Sequence, residues 1–312
     1  MSTIAYVVAV IFMVFLPLIF SFTLVRKYGT PWMVFMMGGL AFLVAEIVRS
    51  VAGNAINSSD FYNNLMHGLS MDYFVYIIFL NALIMSVFQT AARYAGFRLA
   101  GPSGLTWGGG LTVAAGFAAL TLVLNYGLNA VMTPVFVMTA PTTLPDGMTP
   151  ADFASMQDMV NTYWNATFLN AFVQSNLIPG LWQFTLQFAL TMVVWVGVVQ
   201  KKWQWIASAF LLEVAMFSVY FVVGNWIAFY LFNAQDYLIN LILGSLIFVA
   251  LMAFNVGIVY FIYKKVSPLT PAVVEVKAKP APSKPAQNTL APREKSVQDA
   301  KAARKIKNTD LK

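Results

Sequence analysis

The sequence has no cysteine and only one histidine, His67, among its 312 residues. The absence of cysteine excludes disulfides, thiolate catalysis and zinc–thiolate sites together. A catalytic metal site uses about three His, Cys, Asp or Glu ligands, and acid–base catalysis needs a titrating pair. Metal ligands and titrating pairs are both scarce in this sequence. The apolar segments and their edges hold only four ionisable side chains: Glu46, Arg49, Arg93 and Glu213.

Charge is also scarce along the chain. Charged residues make up 10% and hydrophobic residues 59%, with a mean hydropathy of +0.71, whereas soluble domains carry about a quarter charged residues. Several continuous apolar runs of about 20 residues could each cross a ~30 Å hydrocarbon core as a helix. The sequence therefore predicts an all-α polytopic bundle in a membrane.

The loop charges indicate seven spans. Basic residues follow the first, third, fifth and seventh apolar runs, and acidic residues lie in the intervening loops. The positive-inside rule then places the N-terminus outside and the tail in the cytoplasm, and we expect the plasma membrane. The predicted spans lie near residues 3–25, 32–52, 73–97, 108–132, 180–200, 205–231 and 238–263.

The segment 161–178 leaves an alternative of eight spans. It carries five Asn and Gln residues, and as a span it would place Lys201 and Lys202 outside. We interpret it as an amphipathic or re-entrant helix on the outer face. The preceding loop, 133–153, has four prolines and is predicted to be irregular. Within it, Thr149 and Asp152 around Pro150 indicate a helix start.

The composition changes after residue 266, which predicts two parts: a membrane domain over 1–266 and a disordered tail over 267–312. The tail holds ten basic and four acidic residues, a net charge of +6 out of +7 for the chain. We expect it to bind anionic lipid or an acidic partner. Nucleic acid is not an expected partner, because the tail has no aromatic residue for base stacking.

The ionisable residues of the spans have several interpretations. Glu213 lies in the middle of an apolar run, where an acid is costly unless it is paired or neutral. Arg93, near the end of the third span, could reach the interface or point inward. Glu46 and Arg49 are three residues apart, so they can pair locally on one helix face.

Three protease motifs fail on the residues present. The Gly-x-Ser-Gly pattern at residues 101–104 would need a histidine from a later span, and His67, expected to be solvated in a loop, precedes it. All aspartates lie in loops or the tail, which excludes an intramembrane aspartyl pair. A helical two-histidine zinc motif needs a second histidine. The fourth span is rich in Gly and Ala, so we expect it to pack closely at the centre or to line a cavity.

The layout resembles the YhfC-like family of intramembrane metalloproteases, distant relatives of the CAAX-processing and bacteriocin-immunity membrane proteases. The resemblance covers about residues 5–265. It is carried by RKYGTPWMVFMMGGLAFLVAEIVRS, VFQTAARYAGF, WGGGLTVAAGFAALTLVL, LQFALTMVVWVGVVQKK and AFLLEVAMF.

The resemblance also identifies what this chain has lost. Where the family has Glu-Glu-x-x-Arg, the sequence has Gln89, Thr90 and Arg93. A family segment resembling Gly-His-Gly-Gly-x-x-Glu begins here at Gly116, and Phe117 and Thr121 occupy its histidine and acid positions. A later histidine position holds Glu213. The resemblance therefore implies a polar cluster without metal ligands or catalytic residues, in which Arg93 and Glu213 meet: Gln89, Thr90, Arg93, Thr121 and Glu213.

The leading hypothesis is a catalytically inactive member that acts as a scaffold, adaptor or accessory subunit, without a cofactor, among lipid and other membrane proteins. One alternative is an active hydrolase or metalloprotease that uses Glu213. Another is a component of a small-molecule transporter, with Glu213 and Arg93 along its path.

The predicted topology can be tested with single introduced cysteines, because the chain has none of its own. Ser59→Cys and Ser155→Cys should react with a membrane-impermeant maleimide added to intact cells. Ser283→Cys should react only after the cells are permeabilised. External labelling at residue 283 would contradict the cytoplasmic tail.

Overall fold

The computed structural model describes residues 2–59, 73–165, 177–226 and 237–266, and this part of the chain is entirely helical apart from short connections. His67, the loop acids Asp60, Asp72 and Asp236, residues 166–176 and the tail lie outside the described residues. The chain divides into two units, Met1–Thr270 and Pro271–Lys312. All described residues belong to the first.

Nine α-helices and one π-helix make up the described part of the first unit. The π-helix, Val123–Gly127, joins α4 to α5 without a break. The α-helices are α1 (Ser2–Tyr28), α2 (Trp32–Asn57), α3 (Tyr73–Gly104), α4 (Trp107–Leu122), α5 (Leu128–Thr139), α6 (Pro150–Asn165), α7 (Ile178–Gln200), α8 (Trp203–Trp226) and α9 (Tyr237–Val266).

Five segments of the described residues are long and apolar enough to cross a membrane, so the protein is an integral membrane protein. They are Tyr6–Tyr28, Trp32–Ile56, Trp107–Thr139, Ile178–Gln200 and Ser245–Val266. Helices α3 and α8 occupy the positions of the third and sixth predicted spans. The count of seven stays a prediction.

The fourth predicted span continues further than the sequence indicated. Helix α5 runs through Pro134 to Thr139, so the first seven residues of the predicted irregular loop 133–153 are helical. In hydrocarbon every backbone polar group needs an internal partner, which favours a continued helix over a loop even at the cost of one proline-blocked hydrogen bond.

The predicted helix start after the loop is confirmed. Helix α6 begins at Pro150, and Thr149 Oγ1 accepts a hydrogen bond of 3.2 Å from the backbone N–H of Asp152. The same hydroxyl donates to the Asp152 carboxylate at 2.7 Å. These bonds satisfy one of the free N–H groups of the first turn and fix where the chain re-enters a helix. Of the ambiguous segment, residues 161–165 form the end of α6.

Helices α4 and α7 form the centre of the bundle. Nearly every residue of α4 is buried, and it packs against α1, α2, α3 and α7; α7 also packs against α8 and α9. Small residues permit this, since a Cβ on Gly116 would overlap the carbonyl oxygen of Phe35, and one on Gly38 would overlap that of Val113. Backbones of α2 and α4 are therefore in direct contact, as small residues allow in lipid. The small-residue span is a packing helix.

This close contact gives a stability prediction. Gly116→Ala should destabilise the protein by about 1–3 kcal/mol, because the added methyl group forces α2 and α4 apart. Gly257→Ala is the matched control, since a Cβ there meets nothing within 4 Å, and it should leave thermal stability unchanged or slightly raised. Equal melting temperatures for the two variants in detergent would show that the α2–α4 contact tolerates a methyl group.

Candidate functional site

An ion pair between α3 and α8 lies at the heart of the candidate site. Arg93 Nη1 donates to Glu213 Oε2 and Arg93 Nη2 donates to Glu213 Oε1, each at 2.7 Å. Both side chains are 0% exposed. The two parallel hydrogen bonds match the planar guanidinium to the carboxylate, the strongest geometry available to such a pair. The structure thus places Arg93 inward rather than at the membrane interface.

Neutral polar side chains add further hydrogen bonds to this pair. Arg93 Nη2 also donates to the side-chain oxygens of Gln89, at 3.2 Å, and of Gln187. Gln187 Nε2 donates to Glu213 Oε1 at 3.4 Å, and Thr90 Oγ1 donates to Glu213 Oε2 at 3.5 Å. A buried charge pair repays its desolvation only when its remaining donors and acceptors are also satisfied. These three side chains meet most of that condition, and Arg93 Nε is the exception.

An aromatic ring covers one face of the guanidinium. The Phe117 ring of α4 lies 4.8 Å from Arg93 Cζ, within the range of a cation–π contact. Phe42 of α2 holds this ring edge to face at 5.3 Å. Arg93 Nε has no hydrogen-bond partner among the described residues. The position where the resemblance expects a histidine therefore carries a side chain that packs on the arginine.

The predicted local pair on α2 is present and joins the same network. Arg49 donates to Glu46 Oε2 from Nη2 at 2.6 Å and from Nε at 3.0 Å. The other carboxylate oxygen of Glu46 accepts a hydrogen bond of 3.1 Å from Gln89 Nε2. A continuous chain of hydrogen bonds thus runs from Arg49 through Glu46, Gln89 and Arg93 to Glu213. It begins at a side chain that is 42% exposed and ends at one that is fully buried.

One candidate lies apart from this chain, and one participant is new. Thr121 is buried, but its hydroxyl donates to the carbonyl of Phe117 in its own helix, at 2.8 Å. Gln187 was not identified from the sequence. The available signal is a polar series at four-residue spacing in an otherwise apolar helix: Gln183, Gln187 and Thr191.

The residues present do not fit a catalytic metal ion. Within the described part of the chain, no three His, Cys, Asp or Glu side chains come together as ligands could. Both oxygens of Glu213 already accept hydrogen bonds from Arg93, whose fixed positive charge occupies the position beside the carboxylate. The neighbouring amides and hydroxyl are poor zinc ligands compared with imidazole, thiolate or a second carboxylate. In this site the carboxylate of Glu213 binds the guanidinium of Arg93 rather than a metal ion.

Comparison with known proteins gives one family. The model of the YhfC intramembrane metalloprotease family matches residues 12–235, a range that includes every residue of the hydrogen-bonded chain. Curated proteins and solved structures gave no match.

A double-mutant cycle measures the strength of the buried pair. Arg93→Gln and Glu213→Gln should each cost about 3–5 kcal/mol of stability, because each leaves an uncompensated charge in the bundle. The double variant should recover much of this loss. Thermal unfolding in detergent provides the measurement, and Arg49→Gln, which breaks a part-exposed pair, should cost less than either. Strictly additive losses would show that Arg93 and Glu213 do not interact.

Proposed function

The chain belongs to the YhfC intramembrane metalloprotease family, and we propose that within this family it is a catalytically inactive membrane protein. In this proposal the bundle serves as a scaffold, adaptor or accessory subunit for other membrane proteins. The fold of a protease is retained while its interior performs a structural role.

The observation that carries this proposal is the bidentate contact of Arg93 with Glu213. The carboxylate nearest to the expected active site is neutralised by a fixed cation and accepts further hydrogen bonds from Thr90 and Gln187. A water molecule activated for hydrolysis needs a metal ion or a free general base. Glu213, held by two charge-assisted hydrogen bonds, is available for neither task.

The same proposal covers topology and partners. With seven spans and the N-terminus outside, the bundle would lie in the plasma membrane and the tail would lie in the cytoplasm. The ten basic and four acidic residues after residue 267 suit an anionic membrane surface or an acidic partner. Such a tail would recruit partners to a bundle that has no chemistry of its own.

Metal analysis combined with mutagenesis tests the proposal. Protein purified without chelators should contain well under one equivalent of zinc, and Glu213→Ala should leave cleavage of co-expressed membrane proteins unchanged. Arg93→Gln serves as the companion variant, because it frees the carboxylate and still supplies no second ligand. Stoichiometric zinc that disappears in Glu213→Ala would overturn the proposal and favour an active hydrolase that uses Glu213.

A further inference from the structure

A cleft of about 340 Å³ lies between the last turns of α2, residues 81–85 of α3 and Phe217 of α8. Arg49 lines this cleft, so the hydrogen-bonded chain that ends at Glu213 begins here. The cleft is separate from the buried ion pair, and its lining consists of different side chains.

Hydrogen-bond donors without partners line the cleft from both α2 and α3. A guanidinium has five N–H donors, and Arg49 uses two of them, both on Glu46 Oε2. Its other three have no partner in the described part of the chain. The side chains of Ser50, Asn54 and Asn81 also line the cleft and make no hydrogen bond to any described residue. Three donor types thus face one space: guanidinium, amide and hydroxyl.

The lining of the cleft also includes apolar side chains. They are Ile56, Ala82, Ile84, Met85 and Phe217. A space lined by both hydrogen-bond donors and hydrocarbon fits an amphiphile better than a fully polar solute.

The unused donors of Arg49 explain why an anionic ligand is favoured. Arg49 lies eight residues before the end of α2 at Asn57, about 12 Å along the helix axis at 1.5 Å per residue. In an apolar helix, a part-exposed guanidinium needs water or an anionic group for its free donors. Glu46 supplies one oxygen to Arg49 and commits the other to Gln89. The remaining donors of Arg49 are open to the cleft that it lines, where an anionic group would satisfy them.

We propose that this cleft binds the phosphate group of a membrane phospholipid, with Arg49 as the charged contact and Asn54 and Asn81 as neutral donors. The acyl chains would lie against Ile84, Met85 and Phe217. Guanidinium and amide donors together match the several acceptor oxygens of a phosphate. The proposal holds whether or not the protein is catalytically inactive, because no residue of the ion pair contacts the ligand.

Lipid binding to the purified full-length chain tests this site. Phosphatidylglycerol added to detergent-solubilised protein should raise the thermal unfolding temperature, whereas diacylglycerol with the same chains should not. Asn81→Leu keeps the net charge and the tail unchanged, and it should weaken phosphatidylglycerol binding at least several-fold. Arg49→Gln should weaken it at least tenfold. Arg98→Gln removes one charge at the other end of α3 and should bind like the unaltered protein.

The remaining outcomes separate the sources of the phosphate. If inorganic phosphate at millimolar concentration stabilises the protein as well as the lipid does, the site is one for a soluble anion and the lipid assignment is wrong. Should Arg49→Gln fail to fold, Asn54→Leu and Asn81→Leu decide the question, because both leave Glu46 and the ion pair intact. Unchanged lipid affinity in these two variants would overturn the site.

Discussion

The ion pair between Arg93 and Glu213 is the constraint on which the interior of this protein depends. Two full charges without water are tolerated only when the geometry is close and most of the remaining donors and acceptors have partners. This requirement explains why α7 contributes Gln187 and why α3 contributes Gln89 and Thr90 to the same point. Helices α3, α7 and α8 are thereby held by directional bonds in a setting where apolar contacts alone give little directional preference.

Close packing and the polar network support each other through α4. Gly116 brings the backbone of α4 against α2, and the next residue, Phe117, covers the guanidinium of Arg93. Phe42 on α2 orients that ring. A change in the spacing of α2 and α4 would therefore move the aromatic cover of the ion pair as well as the apolar core. Gly116, which lets the two helices touch, and the charged side chain of Arg93 therefore depend on the same packing of α2 and α4.

The sequence predicted the features that depend on local pattern. Apolar runs predicted most helices, three-residue spacing predicted the Glu46–Arg49 pair, and Thr149 before Pro150 predicted a capped helix start. No local pattern could predict the contact of Arg93 with Glu213, because the two residues lie 120 positions apart in the sequence. That contact was expected from the family resemblance. Gln187 was not predicted, because a single glutamine in an apolar helix does not by itself indicate a buried charged partner. The helix through Pro134 was missed because a proline signals a loop in water but not in hydrocarbon.

The long separation of the ion pair in sequence has a consequence for biosynthesis. Glu213 is synthesised 120 residues after Arg93, an interval of about 6–24 s at 5–20 residues per second. During that interval α3 enters the bilayer with an arginine whose carboxylate does not yet exist. Glu46 precedes Arg93 in the chain and reaches it through Gln89, one helical turn away. Because Glu46 is already paired with Arg49 and Gln89 is neutral, the α2–α3 hairpin holds the charge of Arg93 without a carboxylate of its own until the ribosome completes α8. The buried position of Arg93 therefore depends on a helix that is synthesised later.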